Sequence, residues 1–262
     1  MKNILVPTDF SSAADIALRY ALKLADRFNA KLYILNSYEV PHSGATMMVS
    51  INDLLQEESQ KGLQRLDERL SEDYPNLDIQ TISMQGGLDV CVQKSIEEFH
   101  LDLVVMGTTG ASGIEGKLFG SNTASMIRNI TAPLIVLPHD AEINEPCKIA
   151  VSTDFKFSIE DEIYNPAREI ALNYNSDISF INVTTEYKEE ELNAIEKKFG
   201  MDVDFVYNED IEEGIKEYLS DKKVDLLVIV AEKHGIFHNI FKPSHSKMMA
   251  RELDIPMMIL AQ

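Results

Sequence analysis

The chain alternates short apolar runs with longer stretches in which apolar residues recur every three or four positions. Runs rich in Ile, Val and Leu lie at 3–7, 31–36, 78–83, 102–106 and 133–137. They are continuous rather than alternating, which predicts strands buried on both faces of a sheet. Between the first two, Ala13, Ala17, Tyr20, Ala21, Leu24 and Phe28 mark one face of a helix over 12–28. Further helices are predicted near 50–71, 88–99 and 121–130. Strands alternating with helices through short connections form a parallel sheet with right-handed crossovers. Ligands of such sheets sit beyond the carboxyl ends of the strands, where strand order reverses. That rule singles out PTDF at 7–10, NSYE at 36–39 and the glycine-rich stretch that begins at Gly107.

The pattern occurs twice. NILVPTDF (3–10) returns as KIAVSTDF (148–155), and ALKLADRFNAKLYILN (21–36) as AREIALNYNSDISFIN (167–182). LDLVVM (101–106) matches VDLLVI (224–229), and APLIVL (132–137) matches IPMMIL (255–260). Four segments recurring in one order identify a tandem duplication. The second copy predicts strands near 148–152, 178–183, 202–207, 225–230 and 256–260, with a shorter second helix in EYKEEELNAIEKKFG (186–200). Two domains are expected, 1–140 and 147–262. The linker between them, 141–146, is polar, contains a proline and has no periodicity.

Composition narrows the class. A chain of 262 residues with 45% apolar content can give each copy its own core. Its 24 Lys and Arg against 43 Asp and Glu leave a net charge of −19, which disfavours nucleic acid as a partner. The opening MKNILVPTDF is too short in apolar residues for a signal-peptide core, and no run approaches the ~18 of a membrane span. Cys91 and Cys147 form neither a disulfide framework nor a CxxC pair. A cytoplasmic protein without a membrane partner is the expectation.

Five of the twelve glycines fall in VVMGTTGASGIEGKLFGSNTASMI (104–127). Glycine lets backbone approach a ligand closely, which suits Gly107 and Gly110. Gly120–Ser121 opens a predicted helix whose free N–H groups and positive dipole end form an anion site. The hydroxyls of Ser121 and Thr123 can add donors to a phosphate, while Gly113 and Gly116 let the intervening loop bend. This is no Walker A loop, because Leu118 follows Lys117 and Ala111 stands where its first glycine belongs. A GxGxxG fingerprint is also missing. The alternative is a mobile loop whose glycines only make turns.

The spacing Gly107-x2-Gly110-x9-Gly120-Ser121 after an apolar strand, with VPTDFS near the start, resembles the ATP-binding signature of the universal stress protein family. The tandem arrangement resembles its two-domain members. The resemblance implies an α/β fold of two Rossmann-like domains of the adenine nucleotide alpha hydrolase type. Each would hold a five-stranded parallel sheet of order 3-2-1-4-5 between helices, and the domains would pair through their last strands. It implies ATP, with or without Mg. Pro7, Thr8 and Asp9 would line the adenine and ribose end, and Asn36 and Ser37 would offer backbone to the base. Met106 and Gly107 would start the loop, with Thr109 and Gly110 approaching the ribose and phosphates. Gly120, Ser121, Asn122 and Thr123 would hold the phosphates. Ser37 departs from the apolar residue common at that position among ATP-binding members.

The second copy places Val230, Lys233 and Pro243 opposite Gly107, Gly110 and Gly120, although Asp154 and Ser244 still match Asp9 and Ser121. Neither a β-branched valine nor a proline gives the same backbone approach, so this cradle is expected to be lost. His234, His238 and His245, with Glu232, could bind zinc. Lacking cysteines or an HExxH spacing, they read better as an exposed loop, and no metal site is expected.

The resemblance thus implies a stress-response protein with ATP in its first domain and a structural or regulatory second domain. Homodimerisation is a further option. No nucleophile–base pair marks an enzyme. Slow hydrolysis, or self-phosphorylation on Ser121 or Thr123, stays open. An adenylyl-transfer or ATP-pyrophosphatase relative should carry an SGGxDS-type loop where this chain has PTDFSS. An interaction module without nucleotide is the remaining alternative.

Overall fold

The computed structural model describes residues 1–40, 45–108, 120–153, 160–185, 203–231 and 255–261. The first half runs β1 (Asn3–Pro7), α1 (Ser12–Phe28), β2 (Lys31–Tyr38), α2 (Ala45–Asp73), β3 (Ile79–Gln85), α3 (Leu88–Phe99), β4 (Leu103–Gly107), α4 (Ser121–Asn129) and β5 (Leu134–Leu137). The second runs β6 (Lys148–Ser152), a 3-10 turn (Glu162–Tyr164), α5 (Asn165–Tyr174), β7 (Asp177–Thr184), β8 (Val203–Tyr207), α6 (Ile211–Lys222), β9 (Leu226–Ala231) and β10 (Met257–Ala261). The predicted second helix of this half, 186–200, lies outside the described residues.

The ten strands of the described residues join one sheet of order β3-β2-β1-β4-β5-β10-β9-β6-β7-β8. Each half is parallel and has the order 3-2-1-4-5 that the family resemblance implies. The halves meet through their last strands, which pair antiparallel with Met257 opposite Val136 and Ile259 opposite Leu134. Strand carboxyl ends in the two halves therefore face opposite ends of the sheet. The register also verifies the repeat, since Gly107 pairs with Leu137 as Val230 pairs with Leu260.

Both sheet faces are covered, which is why the strands read as unbroken apolar runs. On one face α1, α2 and α5 pack against Ile4, Val6, Val151 and Val228 in a core shared by both halves. On the other, α3, α4 and α6 cover Leu5, Val104, Ile181 and Leu227. The Ala, Tyr and Leu stripe predicted for α1 is buried from Ala13 to Leu24. Ser11 caps this helix by accepting the N–H of Ala14, and Asn29 ends it in the left-handed conformation that Asn tolerates. Asn175 ends α5 the same way.

Two helices depart from the periodicity. α2 begins at Ala45 rather than near 50, since ATMMV contains no glycine or proline to stop it. α5 keeps only the later turns of α1. Pro166 stands in its first turn, and a 3-10 turn replaces the preceding α-helix. At the seam between the halves Lys23 donates to Ile143 O at 2.7 Å, and Arg27 donates through Nε to Asn173 O at 2.9 Å. Among the described residues no helix is long and apolar enough to cross a membrane.

Candidate functional site

Strand order reverses between β1 and β4, whose following helices leave to opposite faces. The rule for such sheets places the ligand crevice there, past Pro7 on one side and Gly107 on the other. On the β1 side Thr8 is a buried node whose N–H, carbonyl and hydroxyl oxygen all have partners. Its N–H donates to Leu35 O at 2.8 Å, and its carbonyl accepts the Asn36 side-chain amide at 2.7 Å. Its hydroxyl accepts the N–H of Phe10 at 3.0 Å. Asp9 is exposed and turns Oδ1 onto the N–H of Ser11 at 3.0 Å, closing an Asx turn into α1. Between them Phe10 sits at φ 61°, a left-handed conformation rare for an aromatic residue.

The end of β2 refines the expectation for Asn36 and Ser37. Backbone groups of alternate strand residues face opposite neighbours. Leu35 O bonds to Thr8 on the β1 side, whereas Tyr38 O accepts Gly86 N–H at 2.9 Å on the β3 side. The backbone of Asn36 therefore faces β3, and that of Ser37 faces the side that β1 has left, since the β1–β2 ladder ends at Pro7 and Leu35. Of this pair, only Ser37 presents backbone to the crevice. The expectation that Asn36 would offer backbone is corrected: its contribution is the side-chain clamp on Thr8. The same clamp recurs in the second half, where Asn182 Nδ2 donates to Thr153 O at 2.7 Å and Thr153 N–H to Ile181 O at 2.9 Å. Recurrence of Asn36 in the copy that lost its glycines was the sequence signal for this structural role.

On the β4 side Met106 is buried in the core beneath the crevice. Gly107 lies against the start of α1: a Cβ there would fall 2.9 Å from Ala13 O and 3.2 Å from Ala13 C. Packing of helix backbone on strand backbone thus demands glycine, whatever a ligand requires. Thr108 N–H donates to Leu137 O, and Thr108 O accepts Gly120 N–H, both at 2.8 Å, so the two ends of the glycine-rich loop are tied together. Thr123 is 2% exposed, and its hydroxyl lies 3.1 Å from both Gly107 O and Thr108 O. The expected phosphate donor of Thr123 is therefore corrected: the hydroxyl is spent inside the protein, and only its backbone N–H can face a ligand.

α4 starts at Ser121 after Gly120, which offers no side-chain cap. The first-turn N–H groups of Ser121, Asn122 and Thr123 carry the positive end of the helix dipole, and the side chains of Ser121 and Asn122 are exposed. Thr109 and Gly110 lie outside the described residues, as do His234, His238, His245 and the second copy's Lys233 and Pro243. Among the described residues no group of three or more His, Cys, Asp or Glu could hold a metal.

Residues 1–138 match the model of the universal stress protein family. A universal stress protein of Methanocaldococcus jannaschii is 31% identical over 142 residues, covering 52% of this chain and 81% of that protein. A universal stress protein A homolog of Haemophilus influenzae is 32% identical over 142 residues, covering 52% of this chain and 96% of the relative. The crystal structure of a universal stress protein from Archaeoglobus fulgidus aligns over 99% of this chain and 96% of its own, with a TM-score of 0.74 at 14% identity. That likeness extends the shared fold across both halves. With a family match spanning more than half of its 262 residues, the chain belongs to the universal stress protein family.

Proposed function

We propose that the first half, residues 1–140, binds an adenine nucleotide, ATP with or without Mg, in the crevice between β1 and β4. Residues 147–262, joined through 141–146, form a second domain that completes a pseudo-dimer and holds no ATP of its own. The observation that carries this reading is the start of α4, an uncapped helix N-terminus placed at the reversal of strand order. The phosphates would lie on the N–H groups of Ser121, Asn122 and Thr123, past Gly120. Thr109 and Gly110 would approach from the loop. Pro7, Asp9 and the Ser37 backbone would border the base and ribose, with Thr8 setting the turn rather than touching the nucleotide. A magnesium ion would arrive on the phosphates. Thr123 is removed as a self-phosphorylation site by its buried hydroxyl, which leaves Ser121.

The test is Ser121→Asp. A carboxylate in the first turn suits the helix dipole, so stability is kept or slightly raised. It would repel a triphosphate, weakening ATP by about tenfold to a hundredfold. Adenosine, which has no phosphate, should bind parent and variant alike. Calorimetric titration of both ligands reads this out. Equal ATP affinity in the two proteins would remove α4 from the site, and absence of any adenine ligand from the parent would favour an interaction module.

A further inference from the structure

Between α1 and α2, on the outer side of the β1–α1 turn, lies a pocket of about 210 Å³. Thr8 and Ser11 form one side, Phe10 a second, and Arg65, Arg69 and Asp15 a third. Arg65 and Arg69 are four residues apart on α2 and so share a helix face. The Phe10 ring rests on Gly62, where an added Cβ would press into it at 2.5 Å. This contact accompanies the left-handed backbone of Phe10 and leaves the side chain 46% exposed along the pocket.

The spare hydrogen-bonding capacity here is almost entirely that of donors. Asp15 is already shared, with Arg69 at 3.3 Å on one oxygen and Arg19 at 3.2 Å on the other. Arg65 reaches only its own helix, through Nε to Lys61 O at 3.3 Å, and meets no carboxylate among the described residues. Thr8 Oγ1 accepts from Phe10 N–H and Ser11 Oγ from Ala14 N–H. Each hydroxyl keeps its own proton to donate. Arg65 and Arg69 thus share the pocket with a single carboxylate, Asp15, which Arg19 also engages, in a chain of net charge −19. Like charges so arranged favour a further anion.

We propose that this pocket binds a small oxyanion, a phosphate or phosphomonoester group, between the guanidinium groups of Arg65 and Arg69 and the hydroxyls of Ser11 and Thr8. Planar guanidinium forks match the oxygens of such a group, and the volume leaves room for a short organic portion against Phe10. The site is separate from the α4 start and does not depend on the nucleotide reading. The experiment is calorimetric titration of inorganic phosphate, and separately of glycerol phosphate, into the full chain at constant ionic strength. Parent protein should bind both, tighter for the ester if Phe10 is used and equally if the pocket takes free phosphate. Arg65→Gln/Arg69→Gln, two exposed changes on an intact helix, should weaken both by about tenfold to a hundredfold. In Ser121→Asp, whose α4 start repels phosphate, the binding that Arg65→Gln/Arg69→Gln removes should persist, which separates this pocket from the proposed nucleotide site. Unaltered binding in the double variant, loss of binding in Ser121→Asp, or no binding by the parent would each overturn the proposal.

Discussion

The two halves of the sheet are built on one plan, and among the described residues they part at the end of β4 and its counterpart β9. Thr8 and Asn36 recur as Thr153 and Asn182, with the same hydrogen bonds at matching distances. Gly107 does not recur; Val230 takes its place at the same register position. The neighbouring helix changes with it. α1 starts at Ser12 and lays Ala13 O on Gly107, whereas the matching helix α5 starts only at Asn165, after a 3-10 turn. A residue kept in both halves serves the fold, and one lost together with its packing partner serves that partner. By this measure the clamp is structural, and Gly107 belongs first to α1.

The largest effect is expected from imposing the second half on the first. Gly107→Val would drive two methyl groups into the backbone of Ala13, which cannot rotate away as a side chain could. A cost of about 3 kcal/mol follows, visible in denaturant unfolding and as faster amide exchange in the first turns of α1. The reverse change, Val230→Gly, should cost about 2 kcal/mol through the cavity it leaves. If Gly107→Val abolished ATP binding at unchanged stability, the glycine would serve ligand approach and the packing account would fail.

Next in size is the clamp. Asn36→Ala leaves a buried Thr8 carbonyl without its amide, at about 1–3 kcal/mol. Asn182→Ala should fall at the lower end of that range, because Asn182 is less buried than Asn36. Parallel losses from the two variants would establish a shared fold element. A silent Asn182→Ala beside a costly Asn36→Ala would mean that the clamp had been kept for something only the first half does.

Much of this architecture was legible in the chain because it rests on burial. Covered strands must be apolar throughout, so their runs stood out, and β1, α1, α3 and β6 begin and end where periodicity placed them. The paired sheet edges followed from the family resemblance rather than from the pattern. Side-chain destinations were harder to read. Thr123 sits one residue from exposed Asn122, and nothing in SNTAS tells which hydroxyl turns inward. Phe10 gave no sign of its positive φ, since aromatic residues rarely adopt one. The pocket beside it needs Arg65 and Arg69 of α2 brought to Phe10 and Ser11 of the β1–α1 turn, a juxtaposition that no local pattern encodes.

The smallest expected effect concerns α3 and its counterpart α6. Ser95 on α3 is buried and donates to Cys91 O at 2.9 Å, a pair that does not titrate. Its counterpart on α6 is Tyr218, whose hydroxyl donates to Asp204 Oδ2 at 2.5 Å. Burial first, and the Asp204 hydrogen bond second, push this phenol up to about 12. The folded protein then holds a proton that the unfolded chain releases near pH 10, the ordinary tyrosine value. The resulting stability is complete below about pH 10 and is lost as pH rises through about 12. Tyr174 at the seam is likewise raised to about 12, by burial first, and buried Tyr20 is raised further. Unfolding midpoints measured across this range should therefore fall in the parent and fall less steeply in Tyr218→Phe. Tyr20→Phe offers the contrast. Its buried hydroxyl has no partner among the described residues, so removing it should be neutral or slightly stabilising at pH 7. An alkaline slope unchanged in Tyr218→Phe would place the sensitivity at the seam and leave the two outer helices, α3 and α6, equivalent.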